Sequence, residues 1–411
     1  MDSVRAQYSQ VLVVDAGGFF PEQNDAIYQN PAWFMLQAMK LLGTDASGMS
    51  DKELRFGKGF LVANARSSGL QLVCANLWDK QTKKTLVAPS IIKKVGTVKV
   101  GIFGLTSDKV DMGPARDSVT VEEPTAAARR TIASLRKQGA TVIVLLSQLG
   151  KVESEDLVTA VDGIDVVVVG RNVPLLQKGR MIKNTVACYG GEQGQYIGRT
   201  IVTLDAARKM ATGENDTYIL GPEVGEKPEI LTLVKSFEDA FNEKLRQEEK
   251  KKAAAQSANP EAGEAEASVD HYMGAEVCGR CHQAEMAQYK TTSHARAWET
   301  LVEAKKDANP ECITCHVVGY KQAGGFKTGD DATRLADVQC ENCHGMGTQH
   351  EAFPTAARRI TEATCVTCHN PSNSPTFSFA VYQPHILHKV PANMPPLPVN
   401  PNKKMMGTGG H

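Results

Sequence analysis

The chain has 411 residues, 42% of them hydrophobic, with 46 basic against 46 acidic side chains. That length holds two or three domains, and the even charge leaves no basic footprint for nucleic acid or an anionic membrane surface. No apolar run is long and uncharged enough to span a bilayer, so an integral membrane protein is not expected. Along the chain, Val11 to Asp15 (VLVVD) runs into Ala-Gly-Gly and reads as a buried strand entering a tight turn. Pro31 to Leu42 has helical spacing, with Pro at its start and Gly43 at its stop. Ser50 and Glu53 make a capping box that would open a second helix. Strand-like runs follow at Leu70–Ala75, Val98–Leu105, Thr141–Ser147, Ile164–Gly170 and Ile197–Leu204, with helices over Glu123–Gln138 and Glu153–Val161 between them. Alternating strands and helices predict an α/β domain whose sheet is buried on both faces. Cys74 and Cys188 lie in strand-like runs and read as two buried thiols rather than a disulfide.

The order of these pieces, with VLVVDAGGFF, TVIVLLSQLG and GIDVVVVGRNV followed by YGGEQGQYIGR, resembles the metallophosphoesterase domain of the 5′-nucleotidase family over roughly Val4 to Asp205. The resemblance implies an α/β sandwich, here incomplete because the family's opening D-x-H strand is absent. It also implies a two-metal site, and the ligands for one are missing. The bridging Asp falls on Gly18, and the G-N-H-E motif on Gly48-Met49-Ser50-Asp51. The strand-end His falls on Gln148, and the G-H-x-H pair on Arg171 and Val173. No histidine precedes His271, so phosphatase activity is not expected. Arg171 reads as a solvated arginine rather than an anion site.

Pro228 to Ala255 predicts a helix with one apolar stripe ending at Leu245, continued by a solvated, charged end (RQEEKKK). Ala253 to Ser268 is small, polar and acidic and reads as a flexible linker. The expected domains are therefore 1–225, a helix and linker over 226–269, and 270–411.

Four C-x-x-C-H motifs occupy the last of these: Cys278/Cys281/His282, Cys312/Cys315/His316, Cys340/Cys343/His344 and Cys365/Cys368/His369. C-x-x-C-H attaches c-type haem, with two thioethers to the porphyrin and an imidazole on the iron. Zinc held by paired C-x-x-C motifs would not require a His directly after every second Cys. Four covalently bound haem c groups are expected, with His282, His316, His344 and His369 as proximal ligands. The distal candidates are His294, His350, His388, His385 and His271; Met346, Met273 and Met394 are alternatives, and His411 ends a Gly-rich tail. Four large cofactors on so short a segment predict a mostly irregular and α-helical multihaem domain with the haems as its main apolar filling. Helices are expected over Gln283–Thr291 and Arg296–Ala304. Because haem c is attached outside the cytoplasm, the protein is expected in the periplasm or at the cell surface. Met1-Asp2-Ser3-Val4-Arg5 has no signal character, so this chain start is expected to lack an upstream signal segment.

From Tyr272 onward, YMGAEVCGRCH, TTSHARAWETL, CITCHVVGYKQAGGF and VQCENCHGMG resemble the tetrahaem cytochromes c that carry electrons from hydroxylamine oxidoreductase. The resemblance implies that His294 is a distal ligand and that the second motif corresponds to a five-coordinate haem. The function expected is electron transfer with other cytochromes as redox partners, the front domain acting as scaffold or docking surface. Two alternatives stand beside it: an enzyme acting on a small nitrogen or oxyanion species at an open haem, and a subunit of an oligomeric extracellular filament or conduit.

Overall fold

The computed structural model describes residues 2–173, 176–191, 194–221, 224–258, 271–328, 334–352, 360–371, 373–374 and 376–388. The chain divides into two compact units, Met1–Leu233 and Val234–His411.

The first unit is built on a six-stranded sheet in the order Ser90–Val95, Val98–Thr106, Val142–Gln148, Val166–Val169, Thr185–Tyr189, Arg180–Ile182. The four central strands are parallel and both edges are antiparallel. Period-two alternation divides each strand between two cores. Phe103, Leu105, Ile143 and Leu145 face the helices Pro124–Lys137 and Lys151–Ala160, while Val100, Ile102, Val144 and Leu146 face the opposite layer. There Ala46 and Val73 complete the core, and Val202, Leu204 and Met210 of a hairpin (Tyr196–Leu204 with Met210–Ile219) pack on it. A third cluster seats the helices Gln29–Leu41 and Gly57–Ser68 around Phe20, Met49 and Leu54. The expected α/β sandwich is present, with the sheet covered on both faces.

Some local expectations change. Leu70–Ala75 forms only isolated bridges, Leu72 to Ser47 and Val73 to Ala88. This segment passes so close to Gly104 that a Cβ there would overlap the Val73 carbonyl. Ser50 and Glu53 open a 3-10 turn, Lys52–Leu54, and the helix starts only at Gly57. Cys74 and Cys188 are free and buried, and burial pushes each thiol up to about 11.

In the second unit the protein core is small: Tyr272, Leu301, Ile313, Val317, Val318, Phe326, Leu335 and Ala336. Its helices run four to eight residues, among them Gln283–Tyr289 and Ala297–Glu303, apart from the helix Pro228–Ala258 that enters it. The charged end of that helix is not merely solvated. Arg246 makes a forked pair with Asp307 (Nε to Oδ1 3.1 Å and to Oδ2 3.3 Å), and Glu249 accepts from Thr328 at 2.7 Å. The expected linker from residue 259 on, His411 and Met394 lie outside the described residues.

Candidate metal centres

In the first unit, the loops aligned above with metal-binding loops do converge. Backbones 16–18 and 47–49 touch: a Cβ on Gly17 would lie 2.7 Å from the Gly48 carbonyl carbon. Gly17 and Gly18 both take positive φ there, 96° and 84°. Gln148 ends its strand against them, 2% exposed, with Nε2 donating to the carbonyls of Ala16 (3.1 Å) and Gly17 (2.7 Å). A Cβ on Gly18 would lie 3.4 Å from that same nitrogen, and Gly170 closes on it from the far side. Arg171 is not solvated. It takes a left-handed φ of 60° and pairs with Asp51.

Beneath these loops lies Glu53, fully buried. Its Oε1 accepts from the N–H groups of Gly18 (2.9 Å), Phe19 (2.8 Å) and Phe20 (3.4 Å), and its Oε2 from the Ser50 N–H (2.7 Å) and hydroxyl (3.0 Å). The sequence revealed its reach back to Ser50 but not the three N–H groups of the distant loop. Asp15 accepts from the Gly17 N–H (2.7 Å) and the Ser47 hydroxyl (3.1 Å), while burial raises its carboxyl above the ordinary range. The convergence thus presents an amide, two carboxylates held by hydrogen bonds, and a guanidinium–carboxylate pair.

In the second unit each C-x-x-C-H motif sits on or beside one helical turn. The turn brings the two thiols to one side and the imidazole just beyond them. The second motif lies on Pro310–His316, opened by Pro310 and capped by Asn309, which accepts from the Glu311 N–H at 3.0 Å. The third is the helix Cys340–His344, capped reciprocally by Gln339 and Asn342. The residues between its cysteines hold neighbouring motifs together. Buried Glu341 accepts from the N–H groups of Met273 (2.9 Å), Gly274 (2.8 Å) and Gly347 (2.8 Å), and Asn342 donates to the Val317 carbonyl (2.9 Å). Sequence reasoning missed both roles, for which polar residues inside the motif were the only signal.

The histidines fall into pairs. Ring centres lie 6.1 Å apart for His282 and His350 (interplanar angle 27°), for His344 and His388 (21°), and for His294 and His369 (50°). With metal–nitrogen bonds of about 2 Å and a ring centre about 1 Å behind each nitrogen, two imidazoles on opposite faces of one metal stand about 6 Å apart. The ring-centre separation of each pair matches that spacing. No ring pair among the described residues includes His316, His271 or His385. His316 Nδ1 lies 2.6 Å from the Ala297 carbonyl. A carbonyl only accepts, so Nδ1 carries the proton and Nε2 keeps its lone pair for a metal. His388 Nδ1 is likewise oriented by Gln288 Oε1 at 3.3 Å, and His369 Nδ1 by the Ser374 hydroxyl at 3.2 Å. His271 is exposed, and its backbone, not its ring, pairs with Thr348.

The family model for cytochrome c554 and c-prime matches residues 277–345, which hold the first three motifs. Cytochrome c-554 of Nitrosomonas europaea is 34% identical over 100 residues, 21% of this chain and 43% of that protein. The trifunctional nucleotide phosphoesterase protein YfkN of Bacillus subtilis is 26% identical over 176 residues, 40% of this chain and 12% of that one. A 5′-nucleotidase precursor from Thermus thermophilus superposes with a TM-score of 0.52 at 24% identity, covering 58% of this chain and 51% of that structure. The chain fuses a 5′-nucleotidase-type fold to a cytochrome c554-type region. It spans less than half the length of each of these two curated relatives. The fourth motif of the cytochrome c554-type region lies beyond the stretch that the family model matches. Among the described residues no helix is long and apolar enough to cross a membrane.

Proposed function

We propose that the protein is an exported c-type cytochrome carrying four haems, which relays electrons between redox proteins in the periplasm or at the cell surface. Haem iron supplies the one-electron chemistry when bound. The observation that carries this reading is the set of three imidazole pairs, each 6.1 Å between ring centres. On this reading Cys278 and Cys281, Cys312 and Cys315, Cys340 and Cys343, and Cys365 and Cys368 hold the porphyrins. His350, His388 and His294 lie opposite His282, His344 and His369.

A second reading, reduction or oxidation of a small nitrogen or oxyanion species, is favoured by His316, which faces no second histidine in any described ring pair. Electron paramagnetic resonance of the oxidised protein tests both. Relay through three closed sites and one open one predicts three low-spin signals and one high-spin signal. An entirely low-spin spectrum that ignores cyanide would remove the second reading, and more than one high-spin site would remove the pairing.

For the first unit we infer a scaffold or docking role without phosphoesterase activity. Gln148, Gly18, Arg171 and Val173 supply no ligand set for two metal ions. Stoichiometric divalent metal with phosphate release from nucleotides would overturn this.

A further inference from the structure

We propose that Asp337 is a positioning residue for the iron on His316, acting through a single peptide unit. The proposal rests on the reading that His316 holds iron. His316 Nδ1 donates to the Ala297 carbonyl at 2.6 Å, and the Trp298 N–H donates to Asp337 Oδ1 at 2.8 Å. That carbonyl and that N–H belong to the same amide. A carboxylate at its N–H end draws the peptide dipole so that the carbonyl oxygen becomes more negative, because hydrogen bonds in a chain polarise one another. The imidazole then donates more strongly from Nδ1 and becomes a more basic ligand at Nε2, the usual effect of such a partner on a metal-bound histidine.

The surrounding backbone fixes the relay. Val317 bridges Ala336, so His316 and Asp337 each lie one residue from that bridge. The Val318 N–H donates to the Leu335 carbonyl (2.9 Å), and the Val338 N–H to the His294 carbonyl (3.1 Å). Asp337 itself holds a left-handed φ of 72°, a conformation that costs a non-glycine residue energy and tends to persist where the surroundings impose it. His369 meets a neutral hydroxyl and His282 Nδ1 stands 4.0 Å from the exposed Glu285, so neither has this linked arrangement.

The test uses the full haem-loaded chain in three forms: wild type, Asp337→Asn and Glu299→Gln. Asparagine keeps an oxygen for the Trp298 N–H and tolerates left-handed φ but removes the charge. Glu299 is a nearby charge that has no place in the relay. Spectroelectrochemical titration, with potentials assigned to porphyrins by the NMR shifts of the haem methyl groups, is expected to show one change. In Asp337→Asn the potential of the haem on Cys312 and Cys315 rises, because loss of a negative partner favours the reduced state, while the other three hold. In Glu299→Gln all four hold. An unmoved potential in Asp337→Asn, or an equal rise in Glu299→Gln, overturns the relay. Peptide mapping of the wild type is read separately: absence of porphyrin on Cys312 and Cys315 refutes the underlying ligand reading instead.

Discussion

Replacing Glu53 by Ala is expected to unfold the first unit early while leaving the second unaffected. The carboxylate is fully buried and accepts from four backbone N–H groups and one hydroxyl. A buried donor left without a partner costs about 1–3 kcal/mol, and such terms overlap within one network. Because the Gly18 and Phe19 contacts are short and the Phe20 contact is long, three donors dominate, and the expected loss for Glu53→Ala is about 4 kcal/mol. Glu53→Gln keeps one oxygen for the Gly18 side but turns an amide donor toward the Ser50 N–H, so about 2 kcal/mol is expected. With a urea dependence of about 3 kcal/mol per molar for a unit of this size, the Ala variant should melt more than about 1 M earlier. Soret absorbance follows the second unit, and the far-UV circular dichroism change that occurs while the Soret band holds follows the first. A far-UV midpoint within about 0.3 M of wild type would refute the idea that this carboxylate holds the converging loops.

Replacing His350 by Ala should leave the iron on His282 open, adding one high-spin signal and cyanide sensitivity; an unchanged paramagnetic spectrum would count against that pair. Asp307→Ala breaks the forked, half-buried pair with Arg246 and should cost about 1–2 kcal/mol, read as a lower thermal midpoint of the second unit. A hydrogen bond from Lys58 at 2.7 Å holds the Asp79 carboxyl at about 2, below its ordinary 3.8. A depressed carboxylate adds stability above its unfolded value and loses it as pH falls through the folded one. Asp79→Asn should therefore be less stable than wild type at neutral pH and converge with it near pH 2; parallel curves would contradict this.

Haem attachment was legible in the sequence because two thiols and an imidazole within five residues are a local pattern. Histidine pairing was not: His344 and His388, or His294 and His369, are brought together only by the tertiary fold. The central strands Val98–Thr106 and Val142–Gln148 were visible as largely apolar runs, since both faces are buried apart from the exposed Lys99. Met210–Ile219 was missed because MATGENDTYI carries the composition of a turn, and its pairing with Tyr196–Leu204 overrides that preference. The converging loops of the first unit could be aligned by family pattern. Gln148 on two carbonyls and Arg171 on Asp51, in the loops that align with the family's metal-binding loops, reveal their partners only in three dimensions.

The most direct test of the account is intact mass with peptide mapping of the protein matured in a host competent for cytochrome c assembly. Four porphyrins are expected, one on each C-x-x-C-H peptide, including the fourth at Cys365 and Cys368. Fewer than four, or unmodified cysteines in any of these motifs, would contradict it.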